Sequence, residues 1–429
     1  MLGAPDPSSL RVWCRLSGPF EVTFRYANNP LMEGARLAPS EKATAAGDYT
    51  VVVQISGLLP GTRYWLEPLI EGDRPKYQGK RAPLVATTAP DGPSRFSVAF
   101  GSCARVQEDA TQAIWPQVAA AQPDLFLWVG DNVYADTLIP SILAEEYRKQ
   151  RSVSGLQPVL RSTPQLAIWD DHDFGLNDHD LENPIKASAL EVFRRYWANP
   201  SYGEPANPGV YFKYGYGGVD FFFLDVRYHR SPYFHPDGAN KSLLGARQLA
   251  WLKDGLRRSD AAFKVLVSGS GWTSLKGPEG DSWASFLHER DALFDWIRDQ
   301  KISGALLLSG DTHRGELYAI PWSEKGGYDL YEFVSSPLAQ DVSPPLSRDI
   351  WEVYVKKPYT GSVNFGRLRF DMTRPDPVLS YELVNVNGEL AYRGFTLRAS
   401  DLVNGVATWK SKASASEIER REVRAANEN

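Results

Sequence analysis

Leu125-Phe-Leu-Trp-Val129 runs directly into Gly130-Asp131-Asn132-Val133-Tyr134-Ala135-Asp136. Five apolar residues without polar alternation fit a strand buried on both faces, and the side chains that follow are acid and metal-ligand types. Three other apolar runs end in the same way. Phe96 to Phe100 leads into Gly101-Ser102-Cys103-Ala104-Arg105, and Gln165 to Trp169 into Asp170-Asp171-His172-Asp173 and on to Asn177-Asp178. Gly304 to Leu308 leads into Ser309-Gly310-Asp311-Thr312-His313-Arg314. Alone, an aspartate after a strand is ordinarily a helix cap and a cysteine a small buried residue. Four loaded strand ends in one chain weigh against that bland reading.

In α/β sheets ligands bind beyond the carboxyl ends of the strands, so these loops are expected to converge although they span about two hundred residues. Their pooled carboxylates, two histidines, thiol and phenol would repel one another strongly unless multivalent cations offset them. A thiolate and a phenolate beside carboxylates suit a hard, highly charged ion such as ferric iron. Oxygen ligands nearby suit a Ca²⁺-like or Mg²⁺-like ion. Two such ions would activate water at neutral pH and clamp a phosphoryl group during in-line attack.

Outward from these loops, apolar strands alternate with helical stretches. Further strands are expected at Asp220 to Leu224 and Lys264 to Val267, and helices at Ala110 to Ala121, Lys186 to Trp197, Ala246 to Leu256 and Arg290 to Asp299. Beta and alpha in alternation argue for an α/β layered domain. Val363 to Phe370, Val378 to Val384 and Ala391 to Leu397 read as antiparallel strands that finish a sheet. The first ninety residues read instead as short alternating strands at Leu10 to Leu16, Phe20 to Tyr26, Tyr49 to Ile55 and Arg63 to Leu69. Gly57-Leu-Leu-Pro-Gly-Thr-Arg-Tyr64 resembles the corner of fibronectin type III-like sandwiches at which a tyrosine ties down a turn. The division expected is an N-terminal all-β fibronectin/immunoglobulin-like domain at 1–90, a linker at 89–94, a catalytic domain at 95–400 and a charged tail at 401–429.

The composition agrees with a globular protein: 429 residues, 43% hydrophobic, with 13 Trp, 20 Tyr and 19 Phe suited to strand-rich layers. A net charge of −5 speaks against a nucleic-acid or anionic-membrane partner held by bulk electrostatics. Cys14 and Cys103 are the two cysteines, so no disulfide framework exists. No apolar run approaches the roughly 18 residues of a membrane span. The opening MLGAPDPSSL is polar, so any export signal would have been removed ahead of this numbering.

Gly130-Asp131-Asn-Val-Tyr134 fits GDxxY, a fingerprint of the purple acid phosphatase branch of calcineurin-like metallophosphoesterases. The other blocks depart from that branch: Asp170-Asp171-His172-Asp173 stands where GNH[DE] is expected, and Gly310-Asp311-Thr-His313 where GHxH is expected. With Gly101-Ser-Cys103, Phe222-Phe-Leu-Asp225-Val-Arg227-Tyr-His-Arg230 and Leu244-Gly-Ala-Arg-Gln248-Leu-Ala-Trp251-Leu252, the set resembles the alkaline phosphatase D (PhoD-like) family from about Pro5 to Leu397. The resemblance implies a layered sandwich of two central sheets flanked by helices, and hydrolysis of phosphoric mono- and diesters by a metal-bridging hydroxide. It implies that Cys103, Asp131, Tyr134 and Asp311 hold Fe³⁺, with Asp131 shared with Ca²⁺ at a second site drawing on Asn177, His313 and Asp170 or Asp171. One iron with one or more calcium ions is thus expected, with Zn²⁺, Mn²⁺ or Mg²⁺ as substitutes. His172 is expected to meet the phosphate and protonate the leaving group, with Asp171 and Arg314 as further catalytic residues and Arg105, Arg227 and Arg230 as phosphate contacts. One departure matters: the superfamily histidine between the third and fourth blocks is missing, and Ser268-Gly-Ser270-Gly-Trp272 occupies its place. The partners implied are small phosphate esters, with nucleic acid only as a phosphodiester substrate. The location implied is secreted or periplasmic. Oligomeric state has no signature.

Three competitors remain. A serine esterase built on Ser270 lacks the G-x-S-x-G spacing, since Ser268 stands two residues before it. An aspartyl-phosphate enzyme using Asp225 needs a second aspartate where Arg227 stands. A non-catalytic extracellular β-sandwich or metal-binding protein accounts for the first ninety residues but not for the strand ends.

Overall fold

The computed structural model describes residues 1–76 and 83–428; positions 77–82 of the expected first domain and residue 429 of the expected tail lie outside them. Residues up to Thr87 build two small antiparallel sheets. Ser9–Arg15 pairs with Thr50–Ser56, and Glu21–Ala27 lies between Arg36–Leu37 and Arg63–Ile70, with Leu84–Thr87 beyond. Alternation turns Leu10, Val12, Val22, Phe24, Val53, Ile55 and Leu66 inward, giving these sheets a core of their own. The Tyr64 hydroxyl accepts a hydrogen bond from the Leu59 backbone N–H at 3.0 Å, tying the turn as the sequence suggested. The unit is fastened to the rest of the chain: Trp13 donates to the Arg195 carbonyl at 2.7 Å, and Arg148 pairs with Asp48 at 2.9 Å.

From Arg95 onward two larger sheets share one hydrophobic core. The first runs Gln165–Ile168, Leu125–Val129, Arg95–Gly101, Asn364–Asp371, Val378–Asn385, Leu390–Arg398; its first three strands are parallel and the rest antiparallel. The second runs Phe212–Tyr216, Val219–Phe223, Phe263–Val267, Ala305–Ser309, Leu330–Val334, Gly315–Ile320, Val353–Tyr359, and its four strands from Val219–Phe223 to Leu330–Val334 are parallel. Phe370 of the first sheet packs on Phe221 and Phe263 of the second, with ring centroids 6.2 and 5.9 Å apart. Parallel neighbours need long crossovers, supplied here by Trp115–Ala121, Pro140–Ser152, Ala246–Arg257 and Leu287–Asp299. In Ala246–Arg257 the buried residues Gln248, Leu252 and Leu256 recur every four positions, one face of the helix.

One expectation shifts and one narrows. The helix looked for over 110–121 begins only at Trp115, where Pro116 occupies the first turn at no cost in hydrogen bonds. The charged tail, for which the sequence leaves a solvated helix or a frayed end open, takes the helical form and packs back on the chain. Ala415–Glu428 is helical, and Arg420 donates to the Ile350 and Glu352 carbonyls at 3.0 and 2.8 Å. Both cysteines are free thiols.

Candidate metal centre and active site

The parallel strands of both sheets point their carboxyl ends at one another. The join is tight. A side chain on Gly310 would come within 3.0 Å of the Val129 carbonyl and into Ser102, while one on Gly130 would come within 2.8 Å of the Asp170 Cβ. Only glycine permits that approach, and Gly130 also has φ +98°. The side chains that follow sit on unusual backbone: Cys103, Asp131, Asp136, Asp178, Asp311 and His313 all have positive φ, between +42° and +68°. Non-glycine residues in that region carry strain, which clusters where the fold holds functional groups in place.

Around Asp131 the loops meet. The Cys103 thiol is 3.3 Å from Asp131 Oδ2, the Tyr134 hydroxyl 3.5 Å from the same oxygen and 3.2 Å from His313 Nε2. Oxygens of Asp131 and Asp171 and a ring nitrogen of His172 all lie within 4.8 Å of one another. The second oxygen, Asp131 Oδ1, is buried without a hydrogen-bond partner. Burial, then the neighbouring Cys103, drives the Asp131 carboxyl well above the carboxylate range, and burial likewise lifts the Cys103 thiol and the Tyr134 phenol. Groups that prefer to keep their protons here are those an added cation would ionise, because it supplies the missing positive charge. The donor set of thiol, phenol, carboxylate and imidazole fits a bound metal cation.

His172 lies on the same wall, its ring stacked on Tyr134 at 4.1 Å and its Nδ1 2.6 Å from Asp136 Oδ1. Burial opposes its charge, but Asp131 and Asp136 outweigh that and raise its pKa to about 10. Arg105 lies over the Tyr134 ring at 5.4 Å, with its Nε buried and unpartnered.

The neighbouring half is built differently. Oxygens of Asp171, Asp178 and Asp281 lie within 4.8 Å of one another. Arg227 pairs with Asp170 and, at 2.5 Å, with Asp281, which Arg230 also contacts. Despite burial, these two arginines hold the Asp281 carboxyl far below its usual range, whereas burial carries Asp170 up to about 7 and Asp178 to about 6. Lys276 reaches Asp311 Oδ2 at 2.5 Å.

A family model for PhoD-like phosphatases matches residues 98–366, which take in all four loaded strand ends. The chain belongs to the PhoD-like phosphatase family. Alkaline phosphatase D of Bacillus subtilis (strain 168) is 25% identical over 324 residues, covering 64% of this chain and 55% of the relative. The chain thus spans about half the length of the curated relative it matches. Among solved structures, one titled Structure of PhoD covers 100% of this chain and 97% of its own, with a TM-score of 0.72 at 16% identity. The purple acid phosphatase PPD1 from yellow lupin (Lupinus luteus) seeds covers 92% of this chain and 73% of its own, with a TM-score of 0.67 at 12% identity. At those identities the likeness is one of fold: mixed α/β with several sheets.

Within this PhoD-like site the structure brings together Cys103, Asp131, Tyr134, Asp171, His172, His313 and Arg105. Asp170 and Asp311 are there too, held by Arg227 and Lys276. Three placements depart from the reading of the sequence, those of Asn177, Arg227 and Arg314. Asn177 is exposed and makes no hydrogen bond to the cluster among the described residues; its neighbour Asp178 turns inward instead, since its backbone N–H donates to Asp171 Oδ2 at 2.8 Å. Arg227 is wholly buried and held by Asp170 and Asp281, so it braces the floor of the site; Arg230 is equally buried and touches Asp281, yet its Nε, Nη1 and Nη2 make no hydrogen bond among the described residues. Arg314, looked for as a catalytic arginine, points away to Glu316 at 2.9 Å and is 3% exposed. Ser270 is buried with its hydroxyl 3.4 Å from both Asp170 oxygens, which leaves the serine-esterase alternative without an accessible nucleophile. Asp225 is equally occupied, accepting from Trp169 Nε1 and three backbone N–H groups at 2.9 Å, so it is no phosphate acceptor.

Asp281 and Lys276 were missed. Both lie in the loop after Trp272, with no strand leading into them, and their charge alone did not set them apart. Arg227 was the available signal, since a fully buried arginine must find carboxylates.

Proposed function

We propose that this chain is a metal-dependent phosphoric ester hydrolase, acting on small phosphomonoesters or phosphodiesters, with residues of 95–400 carrying the chemistry. The observation that carries the reading is Asp131: a buried carboxylate with an unpartnered oxygen, flanked by a thiol, a phenol and a histidine at converging strand ends. A family of phosphatases on the same fold supports it. The non-catalytic binder reading has no use for a histidine–aspartate pair, with Asp136 on strained backbone, beside that carboxylate.

Cys103, Asp131, Tyr134, Asp311 and His313 would hold Fe³⁺. Asp131, Asp171 and Asp178 would hold Ca²⁺, or Mg²⁺, Mn²⁺ or Zn²⁺ in its place. Bound cations supply a water acidic enough to attack phosphorus near neutral pH and positive charge for the phosphoryl oxygens. The chain supplies the rest. Asp136 holds His172 by Nδ1 and keeps it protonated, so that the other ring nitrogen delivers a proton to the leaving oxygen. Arg105, lying on Tyr134, offers its guanidinium to a phosphate oxygen. The unit at 1–90 is a fibronectin-like domain, the tail at 401–429 a helical brace, and the protein acts outside the cytoplasm, secreted or periplasmic.

The test is hydrolysis of a p-nitrophenyl monoester and diester by metal-stripped and reconstituted protein, with X-ray fluorescence to identify the metals. Activity that survives complete stripping would overturn the reading. A visible charge-transfer band, lost in Tyr134→Phe, is expected of the ferric site. Iron-free, colourless protein with full turnover would remove iron from the proposal and leave hydrolysis standing.

A further inference from the structure

With Arg105, Arg227 and Arg230 expected to meet phosphate and Arg314 to serve catalysis, the structure leaves a gap to fill. Arg227 and Arg314 are each spent on a carboxylate, and Arg230, which touches Asp281 with its guanidinium nitrogens otherwise unpartnered, has a side chain with no exposure. Arg105 remains on the Tyr134 side. A phosphoryl group between metal ligands carries charge on several oxygens, and one arginine at the rim leaves part of it uncompensated.

Lys276 has the properties those arginines lack. Its side chain is 27% exposed, so its ammonium group borders solvent while reaching Asp311 Oδ2 at 2.5 Å. It also donates to the Asp281 carbonyl at 3.3 Å. Two acceptors occupy it, and an ammonium has three protons to donate. Through Asp311 and the Asp281 carbonyl it stands between the two halves of the site. The anchoring contact to a backbone carbonyl fixes the stem of a side chain that would otherwise be free to turn into water.

We infer that Lys276 is a substrate-binding residue of this site: its ammonium group, steered by Asp311 and the Asp281 carbonyl, donates its remaining proton to a terminal oxygen of the bound phosphate. The inference rests on the proposed hydrolase reading and deepens it by naming a solvent-bordering cation that Arg227 and Arg314 do not provide. Arg105 and Lys276 then approach the phosphate from the Tyr134 loop and from the loop after Trp272, and binding affinity is shared between them.

The experiment measures inorganic phosphate binding by calorimetry to full-length, metal-reconstituted protein, with metal content determined on the same samples. Wild type is compared with Lys276→Met and Lys276→Arg, alongside KM and kcat for a p-nitrophenyl monoester. Loss of a charge-assisted hydrogen bond predicts about tenfold weaker phosphate binding and a similar rise in KM for Lys276→Met, with kcat changed less and metal content equal to wild type. Lys276→Arg keeps the charge and recovers most of the affinity. Unchanged phosphate affinity in Lys276→Met at full metal content would overturn the inference alone. Phosphate binding lost only in step with metal content would overturn it too, since Lys276 would then act through Asp311. Wild type that holds its metals yet neither binds phosphate nor turns over ester would overturn the hydrolase reading and this inference with it.

Discussion

The two halves of the site solve the same electrostatic problem in opposite ways. Around Asp131 the carboxylate meets the Cys103 thiol and the Tyr134 phenol, among the described residues no lysine or arginine pairs with Asp131 itself, and one of its oxygens has no partner. Around Asp281 the carboxylates are met by Arg227 and Arg230 and the chain carries its own compensation. The first half is built to be completed from outside; the second is close to complete as folded. The difference teaches that acid-rich loops alone do not identify a metal site, because the sequence of both halves looks alike and only the partners of each carboxylate separate them.

The sharpest way to break that comparison is Asp131→Ala. It should lower kcat/KM for phosphate esters on the order of a thousandfold, about 4 kcal/mol, and strip the metal from its half, read by steady-state kinetics and X-ray fluorescence. Retained metal with near wild-type turnover would mean the orphaned oxygen has no such duty. Next in size is Arg227→Met, which removes the cation from Asp170, Asp171 and Asp281 at once. Breaking a buried pair from one side costs about 3–5 kcal/mol, to be read from denaturant unfolding. If added Ca²⁺ restores most of that loss, the second half is able to take a cation in place of its arginine.

Asp136→Asn should act more gently. His172, now held near 10 by Asp131 and Asp136 against burial, would lose one support and release its proton at lower pH. Under the proposed mechanism, in which protonated His172 acts, activity should fall about tenfold and the alkaline limb of the rate profile should move toward neutral. An unmoved limb would take Asp136 out of the mechanism. The smallest effect lies outside the site. Arg15, Tyr196 and Arg148 bring Asp48 down to about 2 from 3.8, against its desolvation. A depressed carboxylate stabilises the fold above its unfolded value and stops doing so as pH falls through the folded one. The attachment of the first β unit should therefore weaken between roughly pH 4 and 2, by about 1 kcal/mol after allowing for solvent. Asp48→Asn should abolish that step in acid unfolding curves.

How much of this was legible depends on what each feature leaves in the sequence. A doubly buried strand leaves an unbroken apolar run, so Leu125–Val129 and Ala305–Ser309 were located to within a residue, and Asp131 and Asp311 with them. Gly315–Ile320 and Leu330–Val334 were not, because each carries a buried glutamate that breaks the apolar run: Glu316 is met by its near neighbours Arg314 and Tyr318, and Glu332 by Ser309 and Trp272 from distant segments. The same limit governs the site. The residue after a strand end is fixed by the strand, whereas the aim of Arg227, Arg314 or Asn177 is fixed by which carboxylates the folded chain sets before it. Positive φ at Cys103, Asp131 and His313 leaves no trace at all, since no glycine marks it.

Glu352 ties the far end of the chain to the cleft. Its Oε1 accepts from the Ser274 N–H at 3.0 Å and from Arg290 at 2.8 Å, while its backbone carbonyl accepts from Arg420 in the final helix. Ser274 is two residues from Lys276. A protein shortened after Lys412, or carrying a bulky fusion on its last helix, would retain every candidate ligand and still loosen the arm that presents the lysine.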